Sequence, residues 1–232
     1  MTTLSNRILN AARTDGAVTF VGSGEPVRVT WSQLHDEARA YAAVLQDRGI
    51  VPGAHVALLG PTSRELVTAV QATWLAGATV VVLPIPMRMG SIDEFVAQTR
   101  ARVLAADVEV LVADPQLAAF LAPEPGDPPV LFYPELIEAA VAASPFTSPK
   151  EDRSQLAILQ FTSGSTSDPK GVMLPQEAVC NNLDAIAQGA QVDPVRDVVV
   201  SWLPLYHDMG LIGLLGTCMT TGMDLVLAAP QD

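Results

Sequence analysis

Residues 161–171 read Phe-Thr-Ser-Gly-Ser-Thr-Ser-Asp-Pro-Lys-Gly and concentrate the groups that hold phosphate. Thr162, Ser163, Ser165, Thr166 and Ser167 bring five hydroxyls, Gly164 lets backbone N–H groups approach an anion closely, and Lys170 brings a cation. A loop that wraps a triphosphate needs that combination of exposed backbone donors, hydroxyls and positive charge. The stretch follows a buried-strand pattern at residues 156–161. Open α/β sheets place their ligand loops there, at the carboxyl ends of strands. By composition alone the same residues also read as a solvated Ser/Thr/Gly turn.

Two other chemistries use similar residues. A Walker A loop needs Gly-Lys-Ser/Thr opening a helix. Here Pro169 precedes Lys170, Gly171 follows it, and the next residues have a strand pattern, so that reading fails. Ser167 to Lys170 also spells Ser-x-x-Lys, the acylated serine and lysine of penicillin-binding enzymes. That chemistry wants the pair one turn apart on a helix, with Ser-Asp-Asn and Lys-Thr-Gly elsewhere. Neither tripeptide occurs in this chain.

About forty residues on, residues 201–211 read Ser-Trp-Leu-Pro-Leu-Tyr-His-Asp-Met-Gly-Leu. Neighbours on a strand point to opposite faces, so the adjacency of His207 and Asp208 does not argue for a Ser-His-Asp triad. Taken alone, the two read as a satisfied structural pair. His35, His55, Trp31 and Trp74 sit where helix packing or a strand start explains them, and Cys180 and Cys218 read as small apolar fillers.

The elements that must position these residues alternate. Thr30 to Gln33 forms a capping box that opens a helix to about Arg48, where Gly49 supplies a left-handed stop. Residues 55–59 read as a strand, and Thr62 to Glu65 repeats the capping box for a helix ending at Gly77. A strand apolar on both faces comes next at 78–83, then a helix capped from Ser91 to about Ala105 and a strand at 109–112. Pro123, Pro125, Pro128, Pro129, Pro145 and Pro149 punctuate residues 122–153, which hold at most a short helix at 134–142 and read as a crossing between two halves. The second half offers strands at 156–161, 172–174, 198–202 and 224–227, a helix at 176–188 and a Gly-rich apolar helix. The expectation is an α/β fold of layered, largely parallel sheets with flanking helices. Residues 1–150 would form a first α/β part with the Pro-rich crossing at its end, and residues 151–232 the start of a second.

Composition narrows the partners. The 232 residues are 49% hydrophobic and 16% charged with a net charge of -12, a globular balance that disfavours a nucleic-acid partner. Two cysteines without metal-ligand spacing point to a reduced, cytoplasmic setting. The first residues lack the apolar core of a signal peptide, and no apolar stretch is long enough for a transmembrane segment.

The pattern Thr-Ser-Gly-Ser-Thr, a short spacer and Pro-Lys-Gly-Val resembles the phosphate loop of the adenylate-forming superfamily of acyl-CoA synthetases, adenylation domains and luciferases. The form Leu-Pro-Leu-Tyr-His-Asp-Met-Gly-Leu is similar to fatty acyl-AMP ligases more than to CoA-forming synthetases. The resemblance implies that Thr162, Ser163, Gly164, Ser165, Thr166, Lys170 and Gly171 hold the phosphates of ATP, with Thr166 contacting Mg2+ through them. It implies an acyl pocket at Trp202, His207, Asp208, Met209 and Gly210, and catalytic roles for His207 and Lys170. A fatty acid would be joined to AMP with release of pyrophosphate and passed to an acyl carrier protein or polyketide synthase carrier domain. A CoA acceptor and a non-catalytic nucleotide- or acyl-binding module are the alternatives. Family members continue into a Tyr-x-Thr-Gly-Asp motif and a mobile C-terminal domain, and no Thr-Gly-Asp occurs here. The chain is therefore expected to be an incomplete N-terminal part of the adenylate-forming fold, inactive by itself.

Overall fold

The computed structural model describes residues 2–85, 92–121, 124–162 and 170–230. The chain opens with α1 (Leu4–Ala11), the strands β1 (Ala17–Val21) and β2 (Val27–Thr30), and α2 (Trp31–Asp47). It continues through β3 (His55–Leu59), α3 (Arg64–Leu75), β4 (Thr79–Val82), α4 (Ile92–Ala105) and β5 (Val108–Ala113). Next come β6 (Val130–Phe132), α5 (Tyr133–Ala140), β7 (Leu156–Thr162), β8 (Lys170–Pro175) and α6 (Gln176–Gly189). The last elements are β9 (Val198–Ser201), a π-helix at Met209–Gly216, α7 (Thr217–Thr221) and β10 (Asp224–Ala228).

The strands form a four-stranded sheet, β2-β1-β10-β9, and a six-stranded sheet, β6-β5-β3-β4-β7-β8. Among the described residues, only β1–β2 and β7–β8 pair antiparallel; the other pairs are parallel, as the layered α/β reading expects. Both sheets draw strands from either side of residue 150, so the expected division into 1–150 and 151–232 follows chain order and not the sheets.

Period-two alternation places β3 and β4 in two apolar clusters at once. Val56, Leu58, Val80 and Val82 enter the main core, while Ala57, Leu59, Val81 and Leu83 enter a second cluster with Val103 of α4. This is why residues 78–83 carry no polar face. α3 buries every residue from Leu66 to Leu75, as a helix apolar nearly all round must. Each large side chain so buried contributes roughly 1.5–3 kcal/mol. The indoles of Trp31 and Trp74 are buried as expected. Their Nε1–H groups donate to the carbonyls of Met223 and Ala157, each at 2.9 Å, tying early helices to late strands.

Local signals match closely at several ends. Thr30 and Gln33 make the reciprocal capping box, and Gly49 and Gly77 adopt φ of 88° and 75° beyond their helices. The cap of α3 is Ser63 and not Thr62, since Ser63 Oγ accepts the N–H of Leu66 at 3.2 Å. Ser91, expected to cap α4, lies outside the described residues. The Pro-rich crossing holds more structure than expected, because buried Leu131 carries β6 onto β5 as a further parallel strand. α1, β1 and β2 were not legible in the sequence. α1 docks through a bidentate pair between Arg7 and Asp184 of α6, at 2.7 and 2.8 Å.

Candidate active site

Of the expected phosphate residues, Thr162, Lys170 and Gly171 sit on the antiparallel β7–β8 pair at the edge of the six-stranded sheet. Thr162 faces Lys170 and Phe161 faces Gly171 in register, and Thr162 Oγ1 lies 3.5 Å from the Lys170 carbonyl. The two described ends of the loop are thereby fixed beside each other. Ser163, Gly164, Ser165 and Thr166 lie outside the described residues, and so does the expected metal contact at Thr166. Lys170 opens strand β8 and not a helix, in keeping with the rejection of a Walker A loop. The Lys170 side chain is exposed and forms no ion pair with another described residue. An exposed ammonium on the residue that faces Thr162 suits an anionic ligand.

The second stretch leaves β9 in the other sheet and folds into a tight turn. The His207 N–H donates to the Pro204 carbonyl at 3.2 Å, and the Leu211 N–H to the His207 carbonyl at 2.9 Å. Gly210 is buried against this turn, and a Cβ there would strike the carbonyl oxygen of Pro204. No larger residue fits without moving backbone. Asp208 Oδ1 accepts the Met209 N–H at 2.7 Å, capping the π-helix. π-helical turns are rare and cluster at functional sites. The His207 ring packs on Tyr206, with centroids 4.8 Å apart and planes at 53°. Partial burial pushes the Tyr206 phenol above its ordinary value, which keeps it neutral. His207 makes no hydrogen bond to Asp208, so Asp208 orients the helix start and not the imidazole.

The two stretches meet on a cleft of about 780 Å³. Gln160, Thr162, His207 and Asp208 supply polar groups to its wall. Val172 and Leu174 of β8, Val179 and Ile186 of α6, and Met209 and Ile212 of the π-helix supply apolar wall, with Asn182 of α6 among them. Of the expected acyl-pocket residues, His207, Asp208 and Met209 line this cleft. Gly210 shapes the turn from behind, and Trp202 is 64% exposed and does not line the cleft. Gln160 and Asn182 were missed. A polar residue two positions before Thr162 in an otherwise apolar strand was the available signal for Gln160.

An α/β fold that sets Thr162 and Lys170 at the end of an edge strand pair, beside a half-apolar cleft, has the form of a ligand-binding α/β protein. The family model for AMP-binding enzymes matches residues 9–232, and the chain belongs to that family. It is 33% identical over 236 residues to a putative ligase of Mycobacterium tuberculosis, a match that covers all of this chain and 42% of that protein. It is 36% identical over 216 residues to the long-chain-fatty-acid–AMP ligase FadD26 of M. tuberculosis, covering 87% of this chain and 36% of the relative. The fold matches that of a Legionella pneumophila fatty acyl-adenylate ligase, solved with acyl adenylate and pyrophosphate. The TM-score is 0.85 at 26% identity, over 98% of this chain and 40% of that one. The chain thus spans about two fifths of the length of the curated relatives it matches. Among the described residues, no helix is long and apolar enough to cross a membrane.

Proposed function

We propose that these residues form the N-terminal part of an enzyme that activates a fatty acid as its acyl-adenylate, and that they are inactive without the rest of it. A carboxylate oxygen of the acid attacks the α-phosphorus of ATP, the bond to the β-phosphate oxygen breaks, and pyrophosphate leaves. Lys170 and the hydroxyls of Thr162, Ser163, Ser165 and Thr166 hold the β- and γ-phosphates, with Gly164 and Gly171 giving the backbone room to approach. Mg2+ bound with the nucleotide would shield the phosphate charge, with Thr166 as its protein contact. His207 donates to charge developing between carboxylate and α-phosphate. The acyl chain runs along the apolar wall of β8, α6 and the π-helix. In this reading residues 151–232 carry the site and residues 1–150 support it.

The observation that carries the reading is that Thr162 and His207, from different sheets, line one cleft with an apolar wall. The relatives named for fatty-acid adenylation support it. The acceptor in this reading is the thiol of an acyl carrier protein or polyketide synthase carrier domain, which displaces AMP to form a thioester. Fatty-acid-dependent exchange of pyrophosphate into ATP by the complete enzyme tests the first step. Lys170→Ala should lower it on the order of 100-fold, and an unchanged rate would sink the loop assignment. Offering the enzyme carrier protein or CoA in parallel tests the acceptor, and thioester formation with CoA alone would overturn the carrier-protein part.

A further inference from the structure

The two halves of the cleft hang from different sheets. Thr162 ends β7 in the six-stranded sheet, while the turn bearing His207 comes after β9 in the four-stranded sheet. Adenylation needs the phosphates and the carboxylate end of the acid held at fixed separation, since misplacement by about 1 Å can cost on the order of 100-fold in rate. Something must set the distance between the two. The cleft walls alone do so loosely, because β8 is exposed along Lys170 to Met173 and touches the solvent as much as the core.

One polar contact crosses this gap. Gln160 Nε2 donates to the Tyr206 carbonyl at 3.0 Å, a part-buried bond between residues 46 apart in sequence. Among the described residues it is the one hydrogen bond between β7 and the turn at 203–208. Its placement is specific at both ends. Gln160 lies two residues before Thr162 on the same strand, so both side chains point to the same face. The Tyr206 carbonyl belongs to the peptide unit whose N–H is that of His207, and that N–H is already committed to Pro204. Gln160 itself lines the cleft beside Thr162 and His207.

We propose that Gln160 is a positioning residue, a strut that fixes the His207 turn relative to the phosphate-holding end of β7. The proposal rests on the adenylation reading for its kinetic consequence, and on the geometry alone for its structural one. Gln160 touches neither reacting group in this role. It acts through the backbone of Tyr206, so its loss should misplace His207 while leaving nucleotide contacts intact.

Three variants separate the strut from general packing. Gln160→Glu keeps the shape and sets a carboxylate oxygen against the Tyr206 carbonyl. Gln160→Met keeps the length without a donor, and Gln160→Lys restores a donor of similar reach. In the complete enzyme, Gln160→Glu and Gln160→Met should lower kcat for fatty-acid-dependent ATP–pyrophosphate exchange about tenfold, with KM for ATP within about twofold of the parent. Gln160→Lys should recover most of the loss. In the same variants, hydrogen exchange of the His207 amide should quicken while the amides of β3 and β4 keep their protection. Unchanged kcat and unchanged His207 exchange in Gln160→Glu would overturn the proposal, as would an equal loss of protection in β3 and β4. If the parent shows no acid-dependent exchange, the adenylation reading fails, and the amide measurement still decides whether Gln160 holds the turn.

Discussion

The two stretches that form the cleft are held by opposite means. Thr162 and Lys170 are set by strand register, at the end of an edge pair whose outer strand is exposed from Lys170 to Met173. The His207 turn is set by steric confinement, with Gly210 pressed on the Pro204 carbonyl and Asp208 capping the π-helix. A ligand that brings its own charge can order a registered, open pair around itself. A single carboxylate on a long apolar tail carries far less charge than a triphosphate and gives less purchase, so its half of the site must be formed beforehand. Under the proposed function, the contrast assigns adaptability to the side that would hold phosphate and rigidity to the side that would hold the acyl chain.

That contrast can be broken by experiment. Lys170→Ala and Gly210→Ala should both cut acid-dependent exchange on the order of 100-fold, the first by removing a cation and the second by displacing His207. They should part on stability. Lys170 is exposed, so its loss should leave the unfolding free energy within about 0.5 kcal/mol of the parent. The added Cβ of Gly210→Ala should cost about 1–3 kcal/mol in denaturant unfolding. A Gly210→Ala protein as stable and active as the parent would remove the steric half of the comparison. Asp208→Ala should cost about 1 kcal/mol by loss of the cap, with Asp208→Asn recovering most of it. Equal losses in the two would mean that the carboxylate charge, and not the cap, is what matters. The smallest effect is expected at Trp202. Trp202→Ala should leave KM for the fatty acid within about twofold, and a tenfold rise would restore Trp202 to the acyl pocket.

The sequence made the chemistry legible where it is local. The hydroxyls, Gly164 and Lys170 stand in one run, and the capping box at Thr30 completes itself within four residues. Strand β4 announced its burial on both faces through three consecutive valines. What failed was long-range. Nothing near Val18 signals that β1 will pair with β10, and short strands with exposed residues such as Val27 show no clean alternation. The crossing at 122–153 hid β6 because three residues give too little pattern to read beside so many prolines. The apolar run at 209–216 was readable as a helix, but π geometry depends on how Gly210 meets the preceding turn and not on helix propensity. Gln160 was unreadable as a strut because its partner is a backbone carbonyl, which any residue at position 206 would provide.

The pairing of Val18 with Leu225 has a consequence during synthesis. β1 leaves the ribosome well ahead of its parallel partner, which emerges roughly two hundred residues later. At about 5–20 residues per second the wait is roughly 10–40 s. Through that interval the antiparallel β1–β2 pair has no neighbour on its inner edge, and an isolated two-stranded pair is marginal in water. The six-stranded sheet can assemble first around β3, β4 and β5, whose contacts close over shorter spans. The inner edge of β1 is covered only when β10 inserts between β1 and β9, so the nascent chain depends on whatever shields Val18 and Phe20 until that moment.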